Sequence, residues 1–566
     1  MASPTIARRY SKRSIIVISV ALLAMLLLSA CGGNPQTQQK ANQTKTKLDS
    51  LIAHAQSIGV PAATLQPILV QEAQLSSTSA PMTLFNDQPA TDYYANLTRR
   101  YQTLGIQVRG LETQVTQQLD YQAYLDIQKL ESALAQRQTQ GFVEAKTFAT
   151  QLDDYQAQLA KAQYPKDYIQ ISINARRSTQ ALRLMGPAYE DLKALQRVIK
   201  QMQASKLDVT ALNLERQNDL ELFRSASKPE DFTQLLDQMN TQLQETTIVS
   251  IQAIPYVGAA KLAEFSNDIQ LTQQYGQDVT KFQQRLTADQ AALNNAKTIK
   301  DYLTLATQID NDVASIQLPM IRGEANYLLK QFHHEVTSWG NAHKYHDPQN
   351  GNSYPLDYEY DMQGIGSDAN SVVQSARSID DYQAAVDNIN NDLASLHAME
   401  ADHGDKTSWH HAHAADLQLI QRYGLTGQVI VVALVEQTMR LYQNGKVVQA
   451  FRITTGQFQL PSPPGVWRIL LRQSPTTFKS SEPKGSAFWY PDTKINYAME
   501  YHWGGYYFHD SWWRADYGPG TNFPHYDSGG DQTFAGNGSH GCVNMQQNQA
   551  AWLYAHTDYN TGVILY

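Results

Sequence analysis

Ser539-His540-Gly541-Cys542-Val543-Asn544, near the end of this 566-residue chain, sets a thiol in a glycine-containing segment between polar side chains. The chemistry open to such a segment is acyl transfer. A thiolate is the reactive form of cysteine, and a neighbouring imidazole can take its proton or hold it as an ion pair. Cys542 would attack a peptide carbonyl, and the tetrahedral oxyanion would collapse to a thioester and expel an amine. Backbone amides around Gly541 and Cys542 are suitable oxyanion donors. Asn544 leads into a helical stretch through Ala550, Ala551 and Trp552, and either caps that helix or hydrogen-bonds within the loop.

The thiol's context comes from the other end of the chain. Arg8, Arg9, Lys12 and Arg13 precede the apolar run Ile15 to Leu28, which closes on Leu28-Ser29-Ala30-Cys31-Gly32. A charged start, a short apolar core and small residues at the end make an export signal. The ending resembles the bacterial lipobox, which implies that residues 1–31 are a lipoprotein signal peptide and that Cys31 carries the lipid. The body would then lie outside the cytoplasm, tied to the membrane. Only two cysteines are present, so a lipidated Cys31 leaves Cys542 without a disulfide partner in an oxidising compartment. Loss of the four signal cations takes the net charge from -8 to -8 minus 4, about -12. Nucleic acid is excluded as a partner, because binding it needs a concentrated basic face.

A chain of this length divides into at least two domains. Residues 32–47 are almost devoid of apolar side chains and read as a flexible tether. From 48 to 425 the composition is rich in Gln, Ala and Leu, and a weak repeat of the form Ala-x-x-x-x-Asp-Tyr/Phe recurs. Its copies run Ala162 to Tyr168, Ala226 to Phe232, Ala296 to Tyr302 and Ala376 to Tyr382. Apolar residues follow at helical spacing: Tyr302, Leu305, Ala306, Ile309, Val313, Ile316, and in the same register Tyr382, Ala385, Val386, Ile389, Leu393, Leu396. Thr298 with Asp301 and Ser378 with Asp381 match the capping box, so helices start there. These features predict stacked or bundled helical hairpins, a scaffold or spacer whose Gln-rich stripe could support self-association through coiled-coil contacts. Residues 339–366, rich in Gly, Pro, Asn and Tyr, interrupt them as a loop insertion. Nine of the fifteen histidines lie between His333 and His413, but without a diagnostic metal-binding spacing.

Beyond Gly427 the texture becomes β-branched and aromatic: Val429 to Val432, Met439 to Tyr442, an Asn444-Gly445 turn, and Val447 to Thr454. Asn-Gly between two such runs predicts a β-hairpin. Over residues 428–566 the chain resembles the YkuD-type L,D-transpeptidase catalytic domain. The resemblance rests on Gln437 to Gly445, Ile453-Thr454-Thr455-Gly456, Pro461-Ser462-Pro463-Pro464-Gly465 before Trp467, Tyr506 to His509, and Ser539 to Asn544. It implies a mainly-β catalytic domain; with the helical reading of 48–425, which lies outside the resemblance, the chain is multi-domain, a long all-α region followed by that domain. The resemblance also implies that His540 shapes the loop rather than acting as base. The family's usual spacing favours His525 as base. The strand setting and the following Asp510-Ser511-Trp512 favour His509, oriented by the Asp510 carbonyl, with Arg514 to Gly530 a loop insertion that lengthened the spacing. The implied substrate is the peptidoglycan stem tetrapeptide, cleaved after its third residue with release of D-alanine. The acceptor would be another stem's amine, water, or a protein lysine, and none of the three needs a metal or organic cofactor.

Overall fold

Asn34 opens the first described helix: its side chain accepts from the Gln36 amide at 2.9 Å and Pro35 follows with its φ preset, so Pro35–Ser57 is helical. This corrects the tether expected over 32–47. Polar Gln, Lys and Thr are adequate helix formers, and Ala41 and Leu48 give the segment a buried stripe. The computed structural model describes residues 34–81, 86–142, 145–348 and 350–566, so the expected signal peptide and Cys31 lie outside the described residues. Among those described, no helix is long and apolar enough to cross a membrane.

The chain divides into two compact units, one reaching Asp126 and including Tyr155–Asn174, the other comprising Ile127–Asp154 and Ala175–Tyr566. In the first, Leu48, Ile52, Leu65, Leu75, Tyr101 and Leu104 form a core between helices. The second holds most of the helical region together with the β domain.

The four repeats start helices at Pro165, Pro229, Ile299 and Ile379. In every copy the aspartate carboxylate accepts from two amides that no helical carbonyl can reach. Asp167 takes Gln163 and Tyr164, Asp231 takes Ser227 and Lys228, Asp301 takes Lys297 and Thr298, and Asp381 takes Arg377 and Ser378, at 2.9–3.4 Å. Thr298 and Ser378 return the bond to the aspartate's own amide at 3.1 Å, completing both expected capping boxes. The stripe behind Asp301 is buried at Tyr302, Leu305, Ala306, Ile309 and Ile316.

Residues 339–366 begin inside the helix Ile299–Ala342 and continue as an antiparallel hairpin, β1 (Lys344–His346) with β2 (Ser353–Pro355), and a tight turn at Tyr358–Tyr360. Three further helices, Ile365–Ser375, Ile379–His403 and Ala414–Arg422, lead to the β domain.

Its first sheet contains β3 (Gln428–Ala433), β4 (Thr438–Gln443), β5 (Lys446–Arg452) and β6 (Gly465–Arg468), with β13 (Gly562–Leu565) inserted, in the order β5-β4-β3-β13-β6. Asn444 and Gly445 take φ +50° and +75°, the left-handed pair of the expected hairpin turn. The second sheet has the order β12-β11-β10-β7, from β7 (Leu471–Gln473), β10 (Ala498–His502), β11 (Tyr506–Asp510) and β12 (Val543–Met545). β8 (Thr476–Phe478) and β9 (Thr493–Ile495) form a separate hairpin.

Strand alternation explains the unbroken apolar run in β3. Ile430 and Val432 face Met499, Phe508 and Val543 of the second sheet. Val429, Val431 and Ala433 face the other way, onto Val336, Leu396, Met399 and Leu419 of the helices. Both faces are covered, so no position is left for a polar residue. The seam with the helices also holds a polar centre. The buried Arg440 guanidinium meets Asp416 at 2.5 and 3.1 Å and Glu436 at 2.5 Å, while Tyr442 and Tyr566 donate to Asp416 at 2.5 Å. Burial works against the charge of Arg440, but Asp416 more than offsets it, and the guanidinium is held ionised. Asp402, His413 and Glu436 approach within 4.8 Å of one another in the same place. A cation already stands beside them, the guanidinium of Arg440.

Candidate active site

β11 and β12 run parallel, with Phe508 opposite Val543, His509 opposite Asn544 and Asp510 opposite Met545. Phe508 and Val543 point into the core, so alternation puts Tyr507, His509 and Asn544 on the other face, with Cys542 just ahead of β12. The structure therefore brings His509, Cys542 and Asn544 together.

Cys542 is a half-buried free thiol. Its sulfur accepts from the Tyr507 amide at 3.4 Å and donates to the Gly505 carbonyl at 3.5 Å. Gly504 and Gly505, with φ +96° and +89°, make the turn that delivers this carbonyl. Burial pushes the thiol up to about 12, against the pull of the Tyr507 amide.

His509 is buried, and burial lowers its pKa, which favours the neutral ring. Its Nδ1 lies 2.9 Å from the Asp510 carbonyl oxygen. A carbonyl only accepts, so Nδ1 carries the hydrogen and the lone pair belongs to Nε2. Asn544 Nδ2 donates to that nitrogen at 3.0 Å. Of the two roles open to Asn544, the structure shows a hydrogen bond to His509 made from β12; Gln546 stands at the start of the helix Gln547–His556. The Asp510 carboxylate holds the preceding turn, accepting from Asn496 and Tyr497 at 2.7–2.9 Å.

The loop before Cys542 is tied on several sides. Ser539 donates its amide to the Thr455 carbonyl at 2.8 Å and accepts from the Gln457 amide at 2.9 Å, and Asn544 and Thr454 exchange backbone bonds at 2.8 and 2.9 Å. Ser539 Oγ donates to the Cys542 carbonyl at 2.5 Å and accepts from the Gly541 amide at 3.0 Å. The Gly541 amide is thus spent inside the loop, which corrects its assignment as an oxyanion donor. Gly541 has φ +106°, and a Cβ there would sit 2.6 Å from the Tyr506 ring, so only glycine fits. His540 is exposed, its ring 5.4 Å from Tyr490 and 6.3 Å from Phe488 at the tip of the β8–β9 hairpin. Phe478 of the same hairpin covers Tyr507 and His509 at 4.9 and 5.1 Å.

His525 stands apart. Its Nδ1 donates to Phe523 and its backbone amide to Gly536, within the loop that Arg514 begins. That loop is closed by Asp527, whose carboxylate accepts from the amides of Ala515, Asp516, Gly529 and Gly530. Tyr507, Gly505 and Ser462 were not singled out as site residues from sequence. The Gly504-Gly505 pair was the available signal for the first two.

A family model described as the L,D-transpeptidase catalytic domain, YkuD, matches residues 427–565. Among solved structures, a mutant Enterococcus faecium L,D-transpeptidase is 26% identical over 25% of this chain and 50% of its own, with a TM-score of 0.21. The isolated catalytic domain of the E. faecium enzyme is 27% identical over 25% of this chain and 98% of its own, at 0.20. The Mycobacterium smegmatis L,D-transpeptidase is 22% identical over 25% and 58%, also at 0.20. The chain spans about half the length of the first of these. No curated protein matches. Residues 427–565 form a YkuD L,D-transpeptidase catalytic domain.

Proposed function

We propose that the protein is a peptidoglycan L,D-transpeptidase that forms 3→3 cross-links through a thioester on Cys542. The observation that supports this is the placement of His509 and Cys542 on one face of adjacent parallel strands, with the His509 lone pair directed to Nε2 by the Asp510 carbonyl. Burial opposes both thiolate and imidazolium, so the resting pair is neutral and the proton moves as the sulfur attacks. Sγ adds to the carbonyl of the third residue of a donor stem, and its proton passes to Nε2 once Asn544 yields that nitrogen. The C–N bond breaks, the D-alanine amine takes the proton from His509 and leaves, and the acyl group remains on sulfur. The side-chain amine of a second stem then attacks the thioester, giving its proton to His509 and restoring the thiol. With Gly541 engaged by Ser539, the Cys542 amide is the candidate left of the two expected oxyanion donors. The same reading puts the protein outside the cytoplasm at the wall, anchored by lipid at Cys31.

The test uses the full chain. Imipenem should add one equivalent of mass at Cys542, and Cys542→Ala should abolish it. Muropeptide analysis should then show 3→3 dimers and released D-alanine from tetrapeptide stems. An unchanged mass with the wild type sinks the acyl-enzyme, and tripeptides without dimers would make water the acceptor.

A further inference from the structure

The insertion of the helical region reaches the cysteine loop. Tyr358 is fully buried. Its hydroxyl donates to the Gly456 carbonyl and accepts from Asn522 Nδ2, the latter at 3.0 Å, so its donor and one acceptor site are both used across the seam. Gly456 is the hub of the strand that braces the cysteine loop. It pairs in parallel with Ser539, flanked by the bonds of Thr455 and Gln457 to that residue. Its amide donates to Ser462 Oγ at 3.0 Å, and Ser462 Oγ donates to the Gly541 carbonyl at 2.7 Å. From Tyr358 to the residue preceding the nucleophile there are three hydrogen bonds and one intervening backbone residue, Gly456.

The turn at Gly456 has little slack, since a Cβ there would lie 2.2 Å from the Leu460 carbonyl oxygen. The insertion is held against the same ground by its other tyrosines. Tyr345 stacks on Phe523 at 4.6 Å with an 8° interplanar angle, and Tyr354 lies 5.7 Å from Phe458. These ring contacts hold the insertion in place; the Tyr358 hydroxyl bonds to the backbone that carries the loop.

We infer that Tyr358, from the insertion of the helical region, is a positioning residue for the cysteine loop, acting through Gly456 and Ser462. The inference rests on the proposed acyl transfer for its kinetic consequence and on geometry alone for its structural one. Removing the hydroxyl leaves the buried Gly456 carbonyl and the Asn522 amide unpaired, and the strand that sets Ser539 and Gly541 is freed to shift. Small misplacements of a nucleophile carry large losses in rate, on the order of 100-fold for 1 Å.

The experiment compares the full chain with Tyr358→Phe and Tyr345→Leu. Tyr358→Phe should lower the maximal rate of Cys542 acylation by imipenem about 10-fold or more, with the half-saturating concentration little changed. Tyr345→Leu, which loses the stack and the hydroxyl's bond to the Pro524 carbonyl at 3.5 Å but touches neither Gly456 nor Ser462, should lower the melting temperature and leave the rate per folded molecule near wild type. Amide exchange read by mass spectrometry decides the brace without chemistry: segments 455–462 and 539–542 should exchange faster in Tyr358→Phe. Unaltered protection there, or an unaltered maximal rate, overturns the inference. A wild type that is never acylated removes the proposed reaction, and the exchange result still decides the brace. If Tyr358→Phe does not fold, Asn522→Ala loosens the same hydroxyl from the catalytic-domain side and should give the same two changes.

Discussion

The helix starts of the repeat and the loop before Cys542 face one problem, backbone groups that no regular structure satisfies, and they meet it at opposite ranges. Asp381 and Ser378 satisfy their amides within five residues. The cysteine loop draws on Thr454, Thr455, Gln457 and Ser462, more than seventy residues away in the chain, and through Gly456 on Tyr358. A local cap can be replaced by water when it fails, because the helix start is exposed. A buried loop has no such recourse. The first device only starts a helix, and the second holds geometry.

The sharpest way to break this comparison is at the base. His509→Ala should lower imipenem acylation by about 100- to 10,000-fold, the usual worth of a positioned general base. His525→Ala should leave it within about threefold, because His525 bonds only within its own loop. The wild-type rate should rise with pH through the His509 pKa, which burial sets below its ordinary value of 6.5, and be level above it. Loss confined to His525→Ala, or a rate still climbing tenfold per pH unit past neutrality, would reverse the assignment.

That choice marks how far the sequence could be read. The segment Ser539 to Asn544, the Asn444-Gly445 hairpin, the capping boxes and the helical stripes are local, and each is visible in residue type and spacing. The hand-over from helices to strands near Gly427 is equally visible, because the side-chain period changes from 3.6 to 2. What could not be read is set by pairing at a distance. Nothing in Ser539 to Asn544 shows that the Gly541 amide is spent on Ser539. Nothing in Tyr358-Glu359-Tyr360 shows that a turn of the helical region bonds to Gly456. The helix from Pro35, found where a tether was expected, was missed for another reason: polar composition excludes a core, but not a helix with a narrow buried stripe.

The seam between helices and sheet is the long-range device at its most buried. Asp416 and Arg440 are both fully buried, and Asp416 also takes the hydroxyls of Tyr442 and Tyr566. Asp416→Ala would leave a buried guanidinium without its bidentate carboxylate, one of the three around it, and should cost about 3–5 kcal/mol in urea unfolding. The double change Asp416→Leu with Arg440→Met should recover much of that, since no unpaired charge remains. A loss under about 1 kcal/mol for the single change would show that Glu436 and Asp402 suffice for Arg440.

The local device should yield the smallest effect. Ser378→Ala removes the acceptor of the Asp381 amide, but Asp381 keeps the amides of Arg377 and Ser378, so one bond of three is lost at an exposed helix start. The expected cost is about 1 kcal/mol, the ordinary worth of such a cap. The remaining part depends on charge. The Arg377 and Ser378 amides, with the Ser378 hydroxyl, hold Asp381 below its ordinary 3.8, so its contribution is complete above pH 3.8 and is lost as pH falls through the lowered value. Acid should therefore weaken this helix start in wild type and Ser378→Ala alike, while the difference between them at neutral pH measures the hydroxyl alone. Helix content of Ile379–His403, followed by amide exchange at pH 7, reads that difference. A Ser378→Ala loss as large as that of Asp416→Ala would mean that the helix start is not a local device, and that its cap helps hold the seam with the catalytic sheet.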